Sequence, residues 1–221
     1  MTIAQAVDRL ISQSPFMEEA LTDGLVNVSS YARNLLPDVQ KLVGKRVQVA
    51  AIVMAINRRS PGYYLGISRG IKSFMSGLGD IIVRSDLCDH TFTNSPTLTS
   101  RQQELMAAVA GQKDVICTLS QGVYETTIVA SGSLDGQIRK LFAGESRVSH
   151  KRGLCSLTIR LPTDNTEVSG VYYFILKNLA WIGVNICEVI STSNEITLVV
   201  SSADVHRAFE VLMGLKGSKY Q

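Results

Sequence analysis

Apolar residues recur at helical spacing through the first sixty residues of the chain. Ile3, Val7 and Ile11 each lie one helical turn apart, so they would share one face of a helix. Pro37 predicts a break in a later helix, because proline cannot donate the backbone hydrogen bond that a helix interior needs. The pattern predicts a small bundle with helices at 3–11, 15–24, 27–36, 39–43 and 47–56.

The pattern changes after this bundle. Residues 60–79 are rich in glycine and serine, which predicts a connector. From residue 80 onward, apolar runs typical of strands alternate with amphipathic stretches typical of helices. Strands are predicted at 80–93, 115–119, 126–130, 154–161, 186–190 and 196–200, and helices at 99–111, 134–142, 171–182 and 205–215.

The alternating region contains an internal repeat. Shifted by 70 residues, Ile116-Cys117 falls on Ile186-Cys187. The first strand needs a shift of 67, which places Leu87-Cys88 on Leu154-Cys155. A period of this size indicates a duplicated domain rather than a solenoid.

Each repeat has the order strand–helix–strand–strand–helix, which is the body of a ferredoxin-like βαββαβ sandwich. We therefore predict an α+β protein in which an N-terminal helical bundle is followed by two ferredoxin-like domains. The predicted domains are 1–76 for the helical domain and connector, 77–148, and 149–221. Only KGSKYQ follows the last predicted helix, so the fourth strand of the last domain is expected to be missing or donated by another segment.

Charge and cysteine spacing exclude several kinds of site. The net formal charge is +3, and the basic excess lies in residues 1–76. All four cysteines lie within apolar runs and far from one another, so they are expected to be buried thiols in a reducing compartment rather than zinc ligands. The three histidines are scattered, and we predict no catalytic constellation, metal or cofactor. No secretory leader or apolar run of about 20 residues is present, which predicts a cytoplasmic protein without a membrane partner.

The stretch SGVYYFILKNLAWIGVNICEVISTSNEITLVVSSADVHRAFEVL, from Ser169 to Leu212, carries a family resemblance. Gly170-Val171 begins a helix, Gly183-Val184-Asn185-Ile186 follows that helix, and Ser191-Thr192-Ser193-Asn194-Glu195 precedes an apolar strand. This order of motifs over residues 154–215 resembles an ACT domain of the aspartokinase regulatory type, although Ser169 stands where that family usually has proline. The repeat at 80–143 resembles the family only in outline, as a degenerate copy would.

The resemblance implies a regulatory protein without catalytic activity. Such a protein would bind a small ligand, namely an amino acid, at the interface between paired ACT domains of a homodimer. A helix that begins after Gly170 offers backbone N–H groups to a carboxylate, and Asp164 or Glu167 would meet an ammonium group. The implied ligand-binding residues are Asp164, Asn165, Gly170, Val171, Val184, Asn185, Ile186, Thr192, Ser193 and Glu195.

Other functions remain open at this point. The same residues would serve equally in a purely structural pair of ACT domains, or in a module that acts on a separate partner enzyme. A third hypothesis is a DNA-binding regulator in which residues 45–59 form the recognition helix of a helix-turn-helix unit. Val47, Ile52 and Ile56 nearly fill that helix with apolar positions, so a buried packing helix is the better interpretation and a nucleic-acid partner the weaker one.

Overall fold

A computed structural model of the protein describes residues 1–59, 70, 71, 73–163 and 167–217. The chain divides into two compact units. The first contains Met1–Ser73 together with Val168–Gly170, and the second contains Phe74–Glu167 together with Val171–Gln221. Within the described residues, no helix has both the length and the apolar character that crossing a membrane requires.

The first unit is helical. It contains the helices α1 (Ile3–Ser12), α2 (Pro15–Thr22), α3 (Val28–Val43) and α4 (Val49–Arg58). A capping box starts α1, in which the hydroxyl of Thr2 accepts from the N–H of Gln5 and the Gln5 side chain accepts from the N–H of Thr2. The core of this unit consists of apolar side chains from α1, α3 and α4 together with Val47, and its buried members are Ala6, Val7, Ile11, Ala32, Leu35, Val39, Val47, Ile52 and Ile56.

One prediction about this region was wrong and another is confirmed. Helix α3 continues through Pro37, where a break was expected. Proline removes one helical hydrogen bond, but Ala32, Leu35 and Val39 on either side of it are buried in the core, and that burial holds the helix together. The predicted packing role of the helix near residue 52 is confirmed, because Ile52 and Ile56 are buried.

The predicted connector is partly helical. Residues 70, 71 and 73–76 are helical, and Ile71, Phe74, Met75 and Leu78 are buried. These four residues follow the i, i+3, i+4, i+7 spacing of an amphipathic helix, which the surrounding glycines and serines obscured. The rest of the predicted connector, residues 60–69, lies outside the described residues.

The second unit is built on one antiparallel sheet. Its elements are β1 (Ile81–Thr93), α5 (Leu98–Val109), β2 (Cys117–Gln121), β3 (Glu125–Ser131), α6 (Asp135–Leu141), β4 (Arg147–Arg160), α7 (Val171–Trp181), β5 (Ile186–Ser191), β6 (Glu195–Ser201) and α8 (Val205–Gly217). The six strands lie in the order β2-β3-β1-β4-β6-β5. The protein is therefore α+β, as the sequence predicts.

The centre of the sheet is the pairing of β1 with β4. The two strands are antiparallel, and Leu87 lies opposite Leu154. These two leucines are equivalent positions of the internal repeat, so an approximate twofold axis passes between them. Strand β4 begins at Arg147 rather than at the predicted residue 154, because its first residues pair with the second part of β1.

Helices cover one face of this sheet. In the first half, α5 and α6 bury Leu98, Leu105 and Ile138 against Cys88 and Ile128 of the sheet. Burial of side chains of this size contributes about 1.5–3 kcal/mol each. On the opposite face, a smaller cluster contains two pairs of repeat counterparts, Leu87 with Leu154 and Val129 with Val199.

Arg59 joins three helices of the first unit. Its guanidinium donates to Asp8 Oδ1 at 2.7 Å and to Ser12 Oγ at 3.1 Å, both at α1. It also donates to Glu18 Oε1 of α2 at 3.2 Å, while its own backbone N–H caps the end of α4. The side chains of Arg59 and Glu18 are only 15% and 11% exposed, so this ion pair is shielded from solvent.

We expect Arg59→Ala to lower the free energy of unfolding by about 2 kcal/mol, because it leaves the carboxylate of Glu18 buried without its cation. Urea unfolding followed by circular dichroism measures this loss. Arg58→Ala is the matched control, since the Arg58 side chain is exposed on the same helix. Equal stabilities of the two variants would show that the Arg59 network contributes nothing.

Candidate functional site

Several of the residues implied by the family resemblance meet at one end of the second half. Helix α7 begins at Val171, directly after Gly170, whose φ of +87° suits glycine. The Tyr172 hydroxyl lies 2.7 Å from Ser191 Oγ, which ties the first turn of α7 to the end of β5. Val171 is thus next in sequence to the residue that links α7 to the β5–β6 hairpin.

The polar segment from Ser191 to Glu195 forms the turn of that hairpin. The N–H of Thr192 donates to the carbonyl of Glu195 at 3.0 Å, and the N–H of Leu161 donates to the carbonyl of Asn194 at 2.7 Å. Thr192, Ser193 and Glu195 are exposed. This turn therefore presents two hydroxyls and a carboxylate to solvent at the end of β5.

The other implied residues lie elsewhere. Val184, Asn185 and Ile186 are at the opposite end of β5, where Val184 is buried, Asn185 is exposed and the N–H of Val184 bonds to the carbonyl of Leu179. A strand rises about 3.3 Å per residue, so the length of β5 separates them from the hairpin turn by roughly 17 Å. Asp164 and Asn165 lie outside the described residues.

A second group of polar side chains lies at the β1–β4 pairing, on the face that the helices cover. Asp135, the first residue of α6, places Oδ1 3.0 Å from His90 Nε2 and 2.7 Å from His150 Nε2. The two histidines are directly opposite each other on β1 and β4, and their rings stack with centroids 4.3 Å apart. Cys88 lies two residues from His90 and therefore on the same face of β1. We call Cys88, His90, Asp135 and His150 the seam cluster.

Burial and charge shift the pKa values within the seam cluster. Burial raises the pKa of the Cys88 thiol to about 11, and the charge of Asp135 adds to that rise. Burial, together with the neighbouring His150, lowers the pKa of His90. Burial opposes ionisation of Asp135, but the hydrogen bond and charge of His150, with the charges of His90 and Arg152, hold its pKa below the ordinary value. The cluster is thus a carboxylate that accepts hydrogen bonds from two imidazoles.

The opposite face of the same pairing also buries polar groups. Asp89 is fully buried, and its Oδ1 accepts weakly from the Ser149 hydroxyl at 3.4 Å. Asp89 Oδ2 and Ser156 Oγ have no hydrogen-bond partner within the described part of the chain. Burial raises the pKa of Asp89, and Lys151 opposes that rise. Burial also raises the pKa of Glu188, and the charge of Asp89 raises it further.

The contact between Asp89 and Glu188 shows how far the sheet curls. Strand β5 is an edge strand and lies three positions from β1 in the strand order. Its residue Glu188 nevertheless interacts with Asp89 of β1. The sheet therefore bends toward the face that carries no helices.

The sequence did not predict either the seam cluster or the buried polar side chains around Asp89. The three histidines looked scattered because His90 and His150 are sixty residues apart in the chain. Their meeting depends on the register of β1 against β4, which no local pattern specifies. The alternation Cys88, His90 on a predicted strand was the available signal, since residues two apart share a face.

Comparison with known proteins gives a likeness in structure only. No protein-family profile matches the chain, and no curated protein matches it in sequence. Aspartokinase alpha and beta subunits match with a TM-score of 0.51 at 14% identity, over 63% of this chain and 98% of that chain. The regulatory subunit of aspartate kinase from Thermus thermophilus matches with a TM-score of 0.51 at 10% identity, over 62% and 97%. Aspartate kinase from Clostridium acetobutylicum, an allosteric enzyme, matches with a TM-score of 0.53 at 12% identity, over 63% of this chain and 34% of that chain.

The second unit has the fold of aspartate kinase regulatory domains. This confirms, at the level of fold, the resemblance to aspartokinase-type ACT domains. Two of the matched structures are covered almost completely, at 98% and 97% of their length, and one of these is a regulatory subunit. Identities this low show the fold alone and say nothing about the ligand or partner of this chain.

We expect Glu188→Gln to raise the melting temperature by a few degrees at pH 7–8. A carboxyl group whose pKa is raised by folding binds more protons in the folded than in the unfolded state, so ionisation above its unfolded pKa costs stability. The neutral amide removes that cost and the repulsion of Asp89. Below the unfolded pKa of about 4.3 both side chains are neutral, so the difference should vanish near pH 4.

Differential scanning fluorimetry across pH 4–8 measures this effect. Glu195→Gln is the control, because Glu195 is exposed at the hairpin turn. A Glu188→Gln gain that is the same at every pH would contradict an electrostatic origin.

Proposed function

We propose that this protein is a non-catalytic regulator whose second unit consists of two ferredoxin-like, ACT-type halves, residues 77–148 and 149–221, joined to an N-terminal helical domain, residues 1–76. The pairing of β1 with β4 is the observation that carries this proposal. A ferredoxin-like unit has the strand order 4-1-3-2, with its fourth strand antiparallel to its first. In the observed order β2-β3-β1-β4-β6-β5, β4 occupies the fourth position for the first half and β1 occupies it for the second.

This exchange supplies the strand that the sequence left unassigned. The two halves share a single continuous sheet, so neither can fold without the first strand of the other. Aspartate kinase regulatory subunits have this fold, and an allosteric enzyme contains it, which favours a regulatory role over a catalytic one.

The ligand that we propose is a free amino acid. The end of the second half where α7 begins presents a helix N-terminus, which favours a carboxylate, and the hairpin turn beside it presents Thr192 and Ser193. Glu195 provides a carboxylate for the ammonium group; Asp164 would supply a second carboxylate and Asn165 an amide, and both lie outside the described residues. A free amino acid carries both a carboxylate and an ammonium group, so it fits these groups.

The positions of Val184, Asn185 and Ile186 favour a second copy of the chain at this site. They lie at the far end of β5 from Thr192, so one small ligand cannot touch both groups in one chain. Strand β5 is an edge of the sheet, and Val189 at its middle is 47% exposed. Antiparallel pairing of two β5 strands around Val189 would place Ile186 of one chain opposite the partner's Thr192. The two groups of implied ligand-binding residues, one from each chain, would then meet at the dimer interface.

Amino-acid binding should raise the melting temperature of the full chain. We expect at least one of the twenty amino acids at millimolar concentration to raise it by a few degrees, because a ligand that binds only the folded state stabilises it. Thr192→Val and Asn185→Ala should each abolish most of this shift. Intrinsic tryptophan fluorescence, followed during heating without an added dye, measures the melting temperature.

Gln121→Ala is the control for these variants, since Gln121 ends β2 where Ser191 ends β5 in the other half. It should leave the shift unchanged. If no amino acid shifts the melting temperature, or if Gln121→Ala removes the shift as fully as Thr192→Val, binding at the β5–β6 hairpin is wrong.

Association through β5 makes a separate prediction. Val189→Lys should weaken the homodimer by about tenfold or more, because it sets two like charges against each other across the twofold axis. Sedimentation velocity measures the dimer constant, and Val123→Lys, at the exposed β2–β3 turn, is the control. A Val189→Lys dimer as tight as wild type would exclude β5 as the interface.

A further inference from the structure

We propose that the seam cluster binds one divalent transition-metal ion of the zinc class, with Cys88, His90, Asp135 and His150 as its four protein ligands. This site lies on the helix-covered face of the β1–β4 pairing and is independent of the amino-acid site at the β5–β6 hairpin. The metal-binding test described below therefore does not depend on whether the amino-acid site exists.

The ligand atoms already lie close to the spacing that a metal shell needs. Cys88 Sγ, one ring nitrogen of His90 and an Asp135 carboxylate oxygen are all within 4.8 Å of one another. His150 Nε2 is 2.7 Å from Asp135 Oδ1 but does not belong to that group of three, so it has to move toward the thiol to become the fourth ligand. In a tetrahedral zinc site with bonds of about 2.0–2.3 Å, ligand atoms are roughly 3.3–3.8 Å apart, so the three grouped residues also have to draw closer together when the ion binds.

The donors come from three rigid elements. Cys88 and His90 are two residues apart on β1 and share its inner face, and His150 lies directly across from His90 on β4. Asp135 begins α6 and faces the two strands from above. Sites built on strands and helices are held more accurately than sites on loops, which favours metal binding over a chance encounter of polar groups.

The donor set selects the class of ion. Thiolate and imidazole are the preferred ligands of zinc and cobalt, whereas calcium and magnesium prefer oxygen. One sulfur, two nitrogens and one oxygen make a closed four-ligand shell, which is typical of a structural site. The ion would hold the two halves together at their shared strands.

The surroundings allow both access and charge balance. Cys88 and His90 are fully buried, but the His150 side chain is 23% exposed, which gives the ion a route from solvent. Arg152 Nε is 3.7 Å from Asp135 Oδ2, and this side chain is 65% exposed, so it can swing into solvent when the ion binds. Binding releases the thiol proton to solvent, and each imidazole that coordinates through Nε2 carries its one proton on Nδ1 instead, so both histidines stay neutral. The carboxylate and thiolate then balance the two charges of the ion.

The competing interpretation is a metal-free hydrogen-bond network in which Asp135 only accepts from two histidines. Cobalt separates the two interpretations, because a thiolate–cobalt bond gives a near-ultraviolet charge-transfer band and tetrahedral coordination gives intense visible bands. A hydrogen-bond network gives neither. The full chain, stripped with a chelator and returned to buffer, is titrated with cobalt and then with zinc in competition with a chromophoric chelator.

We expect one ion per chain, both sets of bands, and a melting temperature that rises with ion concentration. Cys88→Ser should remove the charge-transfer band, and His150→Gln should weaken zinc binding by about 100-fold or more, since the loss of even an outer-shell partner costs 10–100-fold. Both changes are conservative in size, and circular dichroism confirms that the variants fold.

Cys155→Ser and His206→Gln are the matched controls. Cys155 is the buried repeat counterpart of Cys88, and His206 is an exposed histidine on α8. Both controls should bind as wild type does. Failure of the folded wild type to bind one ion per chain, or equal binding by Cys88→Ser and wild type, would overturn the proposal.

Discussion

The antiparallel pairing of β1 with β4 is the constraint on which the rest of the second unit depends. A three-stranded half-sheet with two helices leaves the inner edge of its first strand unpaired, and its exposed N–H and carbonyl groups need partners. The repeat solves this by giving each half the other's first strand. Leu87 against Leu154 fixes the register at the approximate twofold axis, and both strands run for thirteen residues or more because each serves two half-sheets.

The same pairing explains why polar side chains are buried here. Central strands are covered on one face by helices and on the other by the curl of the sheet, so polar residues on them are removed from water together. His90 and His150 then share Asp135 on one face, and Asp89 meets Glu188 on the other. Buried polar groups are costly without partners, so clusters of this kind usually have a structural or ligand-binding reason to persist.

The sequence predicted the positions of the strands and helices better than it predicted which strands pair with each other. The positions of β1, β3, β6 and α7 follow directly from local apolar periodicity, and the duplication is visible as matching residues at a fixed offset. The early start of β4 was missed because Arg147–Gly153 contains four charged or histidine side chains among its seven residues, and only pairing with β1 makes it a strand. The seam cluster was missed for the same reason, since His90 and His150 approach each other only through that register.

The two halves differ at their hairpins, and the difference bears on where a ligand can bind. In the first half, the Asn94 side chain donates to the carbonyls of Gly122 at 2.8 Å and Val123 at 3.2 Å, so the protein's own amide occupies the mouth of the turn. The repeat counterpart of Asn94 is Leu161, whose backbone N–H keeps the equivalent bond to Asn194 but whose side chain has no amide to donate. The second half thus retains the backbone frame of the turn and replaces the amide that fills its mouth with an apolar, buried side chain. Since the polar residues Thr192 and Ser193 occur only in this second turn, the two halves differ both in the side chains of the turn and in whether a side-chain amide of the protein closes it.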